Sequence, residues 1–228
     1  MDALPRQTTI LDSVYAAIRD SICDGAFMPG ERLTQDDIAE RLGVSRQPVG
    51  QALILLKSQG FVSDAGRRGV VVAPLRTEIV RHIYDLRGAL DELAARLAAR
   101  RAGAKILTRG YEILEHGRRL VAAADVEGLL KADMAFHGFI YEASQNPLIQ
   151  QALAAHWHQL RRVMSGVIEQ DSYRAVLLVE HAAILSAIGE GDEERAADLS
   201  RRHVEAASEA LCGKLDARQA ARSGARGR

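Results

Sequence analysis

Between Leu33 and Ser58 the apolar positions fall three and four apart and split into two short runs with a glycine between them. That spacing is the period of a helix with one buried face. The first run predicts a helix capped by Thr34, with Ile38, Ala39 and Leu42 on its apolar side and Gly43 as the left-handed residue that ends it. Val44 fills the corner. Ser45 then caps a second helix reaching about Ser58, with Pro48 in its first turn, where a missing backbone donor costs little. Val49, Leu53 and Leu56 turn inward, while Ser45, Arg46, Gln47, Gly50 and Gln51 crowd the exposed N-terminal end. This is the pattern of a helix-turn-helix, whose second helix offers its N-terminal residues to base edges in the major groove.

Beyond this helix the period changes to two. Phe61 to Ser63 and Val70 to Ala73 are short β-prone runs around a Gly/Arg-rich turn at Ala65 to Gly69, which predicts a hairpin, or wing. Arg67 and Arg68 at its tip suit phosphate or minor-groove contact, although a solvated hairpin with two surface arginines would read the same way. From Thr77 onward everything favours helix. Helices are expected at about Thr77 to Ala102, Lys105 to Ala123, Val126 to Ala143, Pro147 to Ile168, Ser172 to Gly189 and Glu193 to Leu215. In the first of these, Val80, Tyr84, Leu86, Leu90, Leu93 and Leu97 form the expected inner face, and Gly103 the stop. The fold class is therefore mainly α. A winged helix-turn-helix over residues 1–75 precedes an all-α antiparallel bundle over 76–215 and a basic tail, expected to be frayed or disordered, over 216–228.

Composition refines this picture. With 30 basic and 30 acidic residues the formal net charge is zero, so no whole-molecule field draws the chain to nucleic acid. Placement matters instead: from Val44 to Val70, Arg46, Lys57, Arg67 and Arg68 face Asp64 alone, which predicts modest, salt-sensitive affinity leaning on dimerisation and base contacts. Cys23 and Cys212 lie in no metal-like spacing, and a reduced, cytoplasmic setting is the expectation. The N-terminus lacks the apolar core of a secretory signal, and no run approaches the roughly 18 apolar residues of a membrane span. No nucleophile paired with a base and no Gly-rich phosphate loop is visible.

Histidine placement carries the remaining chemistry. Asp133 and His137 are four apart and share a helix face with Leu130, Met134 and Ile140. His181 opens the series Ile184, Leu185, Ile188, and His203 falls in the series Leu199, Ala206, Ala210, so both point to apolar sides. Three imidazoles and a carboxylate from three helices suit zinc, or nickel, cobalt or manganese, with positions open to water or an organic ligand. Taken singly, each histidine reads as a satisfied core or interface residue; taken together, Asp133 four before His137 with two inward histidines on later helices points to a site. His82, His116, His156 and His158 lack such company and are read as surface or packing residues.

The segment from about Ile10 to Pro74 resembles the winged helix of the GntR superfamily of bacterial transcription regulators. The resemblance rests on Gly25-Ala26-Phe27-Met28-Pro29-Gly30-Glu31-Arg32-Leu33, Ile38-Ala39-Glu40-Arg41-Leu42-Gly43-Val44-Ser45-Arg46, Pro48-Val49, Ala52-Leu53, Leu56 and Gly60. The remainder is similar to the helical effector domain of the FadR-type subgroup, called FCD, through Leu86-Arg87, Leu90, Asp133, Phe136-His137, Asn146-Pro147-Leu148, Glu180-His181, Ile184, Ala187-Ile188, Gly191-Asp192, Ala196 and His203. The resemblance implies that Asp133, His137, His181 and His203 hold a metal beside a pocket for a small organic acid. It also implies a homodimer reading a short palindromic operator on double-stranded DNA, with effector binding biasing the placement of the two DNA-binding domains and usually weakening the operator complex.

Two positions stay open at this level. Where the superfamily pattern reads Ser-Arg-Thr-Pro-Val-Arg-Glu-Ala-Leu, this chain has Gln47, Gly50 and Gln51. Gly50 either lets the helix approach the groove closely while Gln47 and Gln51 read adenine edges, or marks an atypical, weakly bound operator. Arg87 could clamp a carboxylate of the effector bidentately, or form an exposed ion pair with Asp91; Arg161 and Arg162 are lesser candidates of the same kind. Two rival functions share the metal set: a regulator for which the ion itself is the signal, and a metalloenzyme, which has no reason to carry a winged helix.

Overall fold

A reciprocal cap starts α1 (Ile10–Cys23): the Thr9 hydroxyl accepts the Asp12 N–H at 3.1 Å, and the Asp12 carboxylate accepts the Thr9 N–H at 3.0 Å. The computed structural model describes residues 9–66, 69–101, 104–168 and 171–226. After α1 come β1 (Arg32–Leu33), α2 (Gln35–Leu42), α3 (Arg46–Ser58), β2 (Val62–Asp64) and β3 (Val70–Val72). Thr34 caps α2 by accepting the Asp37 N–H at 3.2 Å, and Gly43 closes it at φ 64°, a conformation that glycine adopts without cost. Ser45 has the extended backbone of a cap before α3, but its side chain makes no cap hydrogen bond.

The first unit's core is built from Val14, Ile18 and Ile22 of α1, Ile38 and Ala39 of α2, Val49, Leu53 and Leu56 of α3, and Phe61, Val62 and Val72 from the wing. Leu42, expected on the inner face of α2, is exposed; it sits on the last turn, where Gly43 and Val44 turn the chain away. The wing also has a strand that periodicity did not signal. β1 is only two residues long, and it pairs antiparallel with β3, giving the order β1-β3-β2. The wing-tip Arg67 and Arg68 and the expected helix stop at Gly103 lie outside the described residues.

The chain divides into two compact units at Leu75 and Arg76. The second is a helical bundle of α4 (Thr77–Arg101), α5 (Ala104–Ala122), α6 (Val126–Ala143), α7 (Pro147–Ile168), α8 (Asp171–Glu190) and α9 (Glu193–Arg226). Asp125 caps α6 through the Gly128 N–H at 2.8 Å, and Gly191 turns α8 into α9. α4 and α9 run antiparallel and are tied at both ends. The Thr77 hydroxyl donates to Asp216 at 2.6 Å at one end, and Arg100 pairs with Glu193 at 2.6 Å at the other. The core joins Ala94, Ala95 and Ala98 of α4 to Phe136, Phe139 and Ile140 of α6 and to Ile184, Leu185 and Ile188 of α8.

Three expectations need correction. Leu86 and Leu93 are exposed, and the buried face of α4 runs instead through Val80, Tyr84, Arg87, Asp91, Ala94 and Ala98. On α9, Ala206 and Ala210 are exposed, the inner face being Ser200, His203, Val204, Ala207 and Leu211. Finally, α9 continues past Leu215 to Arg226 where a frayed tail was expected. The run after Leu215 holds no proline and is dominated by alanine and arginine, which favour helix even without an apolar face.

Candidate metal centre and nucleic-acid interface

Asp133 and His137 occupy consecutive turns of α6, His181 lies on α8 and His203 on α9, so three packed helices converge on one point. All four side chains are buried, and one potential ligand atom from each lies within 4.8 Å of the others. Neither carboxylate oxygen of Asp133 accepts a hydrogen bond, and His181 Nε2 has no hydrogen-bond partner. Asp133 Oδ1 stands 3.5 Å from His181 Nε2 and 3.8 Å from His137 Nε2. Buried polar atoms left unbonded are costly. A carboxylate with both oxygens bare among three imidazoles is the donor chemistry of a divalent cation site, so these residues fit the ion that the sequence implies.

Flanking carboxylates settle which ring nitrogens face the centre. Glu180 accepts from His203 Nδ1 at 2.7 Å, so the proton sits on Nδ1 and the Nε2 lone pair is available to the cluster. Asp91 Oδ2 lies 3.3 Å from His137 Nδ1. Phe136 stacks on the His181 ring at 3.9 Å and seals it from solvent. Burial lowers the affinity of both His137 and His181 for protons; Arg87 adds to this for His137, and the neighbouring imidazoles add to it for His181. Both rings are held neutral, the form that binds metal.

Arg87 is neither an open clamp nor an exposed ion pair. It is 1% exposed and locked into a network: Nε donates to Asp91 Oδ2 at 3.2 Å, and Nη2 donates to His137 Nε2 at 2.7 Å. Nη1 is buried without a hydrogen-bond partner, and the guanidinium lies against the rings of Tyr84 and Trp157 at 5.5 and 5.8 Å. Tyr141 completes the network by donating to Asp91 Oδ1 at 2.5 Å. Burial alone would raise the Asp91 carboxyl, but Arg87, His137 and Tyr141 together hold it down at about 2. Beside Tyr141 and Trp157 a cavity of about 270 Å³ opens between α6 and α7, lined also by Met134, Gly138 and Leu153.

Sequence reasoning missed Glu180 and Tyr141 as members of the site and saw Asp91 only as a partner for Arg87. Tyr141 was within reach, since Asp133, His137 and Tyr141 are successive four-residue steps on one face. Glu180 was not, because nothing in spacing links it to His203.

On the first unit, Arg46, Gln47 and Gln51 are exposed at the start of α3. Arg46 Nε pairs with Asp36 of α2 at 2.6 Å, and Lys57 is held by Asp64 of β2 at 2.7 Å, so two of the four cations counted along this segment have carboxylate partners. Gly50 is half-buried, and the amide of Gln35 lies where its side chain would project: a Cβ there would stand 3.3 to 3.4 Å from Gln35. The space above Gly50 is thus filled from α2.

Residues 11–72 match the family described as bacterial regulatory proteins, gntR family, and residues 82–206 match the FCD domain. The chain is 27% identical over 204 residues to the HTH-type transcriptional regulator YdhC of Bacillus subtilis, covering 88% of each. Among solved structures, a GntR transcriptional regulator from Rhodococcus sp. RHA1 superposes with a TM-score of 0.74 at 28% identity, over 89% of this chain and 97% of that one. Escherichia coli McbR/YncC shares the fold with a TM-score of 0.76 at 21% identity, over 91% of this chain and 99% of that one.

Proposed function

Because the chain belongs to the GntR family of bacterial regulators and carries an FCD domain, it is a DNA-binding transcription regulator and not an enzyme, and from that premise we propose that it is a repressor released by a small carboxylic acid bound at a metal centre in the helical unit. The observation that carries this reading is the buried Asp133, His137, His181 and His203 set, with both Asp133 oxygens unbonded. These four residues hold the ion, zinc being the best match to three imidazoles and a carboxylate, with nickel, cobalt or manganese as alternatives. A bound divalent ion supplies a positive centre with positions open to a carboxylate oxygen.

Asp91 and Glu180 orient the imidazoles, Arg87 supplies guanidinium donors to the acid, and the cavity beside Tyr141 and Trp157 houses its carbon body. In the first unit, Ser45, Arg46, Gln47 and Gln51 of the α3 start read the major groove, Gly50 with Gln35 above it forms part of the same surface, and Arg67 and Arg68 of the wing contact the backbone. Two copies of the chain bind the two halves of a palindromic operator. The acid acts by binding one dimer geometry more tightly than the other, which is all that release from DNA requires.

The test is metal content of the purified protein by elemental mass spectrometry, beside His181→Ala, followed by operator binding with and without candidate acids. About one ion per chain, lost in the variant, and an operator complex weakened by an acid only in the loaded protein support the reading. No metal in either protein after incubation with divalent ions sinks it. An operator complex that responds to metal alone would make the ion the signal.

A further inference from the structure

The Arg87 to His137 hydrogen bond bears on how this centre fills. A guanidinium has no lone pair, so at 2.7 Å it is Arg87 Nη2 that donates and His137 Nε2 that accepts, and the His137 proton must then reside on Nδ1, facing Asp91. His137 is therefore already the tautomer that ligates through Nε2. The lone pair it would give to a cation is the one Arg87 holds. One sp² lone pair cannot serve both, so Arg87 and the ion compete for the same 2.7 Å of space.

Resting on the metal reading above, we infer that Arg87 is a latch on the centre, and that yielding His137 to the metal is the event that frees Arg87 to hold a carboxylate. Arg87 has somewhere to go without losing its anchor. Its Nε is held by Asp91, which is itself fixed by Tyr141, so a modest rotation about the Cδ–Nε bond swings the planar group as a unit, displacing the terminal nitrogens most while Nε keeps its place beside Asp91. Nη1 has no hydrogen-bond partner, and Nη2 loses its own when His137 turns to metal. Two parallel N–H donors beside the ion then match the two oxygens of a carboxylate, the chemistry for which guanidinium is suited. The order of filling is thus fixed: cation first, anion second. By linkage the anion in turn tightens the cation, because it gives the displaced guanidinium a new partner. The rings of Tyr84 and Trp157 against the guanidinium make the movement visible, since Trp157 is the single tryptophan of the chain.

The experiment is zinc titration of the metal-stripped full-length protein against a competing chelator, for wild type, Arg87→Met and Arg87→Lys, with Trp157 emission followed throughout. Both variants should bind zinc more tightly, on the order of tenfold, because a buried charge-assisted hydrogen bond no longer has to be broken. The lysine variant keeps the charge but cannot hold Asp91 and His137 together. Tightening in Arg87→Met alone would mean simple charge repulsion and would overturn the latch. Zinc should shift Trp157 emission in wild type and not in Arg87→Met; zinc binding to wild type without that shift overturns the proposal even if a variant fails to fold. Acetate, as the anion probe, should raise the melting temperature of the zinc-loaded wild type only, and an equal shift with and without zinc, or none in either, overturns the order. Zinc bound by none of the proteins would sink the four-ligand reading itself, whereas equal affinity in all three sinks only the latch.

Discussion

Asp36 of α2 and Arg46 of α3 form an ion pair at 2.6 Å with both side chains largely exposed, so the arginine proposed to read a base is held by a carboxylate of its own chain. An exposed pair of this kind is worth about 0–1 kcal/mol, and DNA can break it. Asp36→Ala should tighten operator binding severalfold at fixed salt, by releasing Arg46 and by removing a negative charge that faces phosphate. Arg46→Ala should weaken it by about 1–3 kcal/mol. Fluorescence anisotropy on one operator at matched ionic strength measures both, and weaker binding by Asp36→Ala would mean that Asp36 orients Arg46 for the groove.

The same substitution at two glycines should have opposite signs. Gly50→Ala gains about 1 kcal/mol of helix propensity and meets only the movable end of Gln35 at 3.3 Å, so thermal unfolding should shift upward. Gly110→Ala on α5 would put its methyl 2.6 Å from Leu185 Cδ1 and 3.1 Å from Phe139, both packed in the bundle core. Overpacking there costs about 1–3 kcal/mol, more than the helix gains. A rise in melting temperature for Gly110→Ala would show that α5 and α8 separate easily.

Glu180→Gln should lower metal affinity by about 10–100-fold while leaving the helical circular dichroism unchanged. The amide can still bond His203 Nδ1, but it no longer raises the basicity of the ring or holds one tautomer. Chelator competition reads the affinity; unchanged zinc binding would remove His203 from the ligand set.

Acid should destabilise the metal-stripped protein in two stages. His137 and His181 are held below their ordinary 6.5, chiefly by burial, so below that pH the unfolded chain takes up protons that the folded chain refuses, and stability falls. Asp91 sits at about 2 against an ordinary 3.8, so its contribution is complete above 3.8 and is lost as pH falls from there toward 2. Urea midpoints recorded from about pH 8 downward should begin to drop near 6.5 and drop again below 4. A profile flat through the first interval would contradict neutral, buried imidazoles.

Much of the architecture was legible because helices and the recognition turn are written in local chemistry: Thr34, Gly43, Asp125 and the Gly191 turn all act where their residue types predict. The convergence of Asp133, His137, His181 and His203 was also legible, since Asp133 and His137 share a face and His181 and His203 fall in apolar series. What failed was the orientation of α4. Its leucines at 86 and 93 outweigh Arg87 and Asp91 in any hydrophobic period, yet the charged pair is inside and the leucines outside. A charge is tolerated in a core only when its partners are in place, and two of these, His137 and Tyr141, come from α6, fifty residues on from Arg87 and Asp91 respectively. Periodicity counts residues one at a time and has no means of scoring a pair that exists only after folding. The wing strand β1 escaped for a related reason, since two residues carry no period.

The bond between Thr77 and Asp216 joins the first residue of α4 to the last helix of the same unit. The start of the bundle therefore meets its last helix, and the order in which its helices are strung is separable from the way they pack. A rearranged gene could end α9 just past Asp216, join it to the start of α4 through a short linker and open the chain at Gly191, where the backbone is exposed and already turns. Such a circular permutant would keep Asp133, His137, His181 and His203 together while detaching that buried cluster from its place in the reading order of the chain.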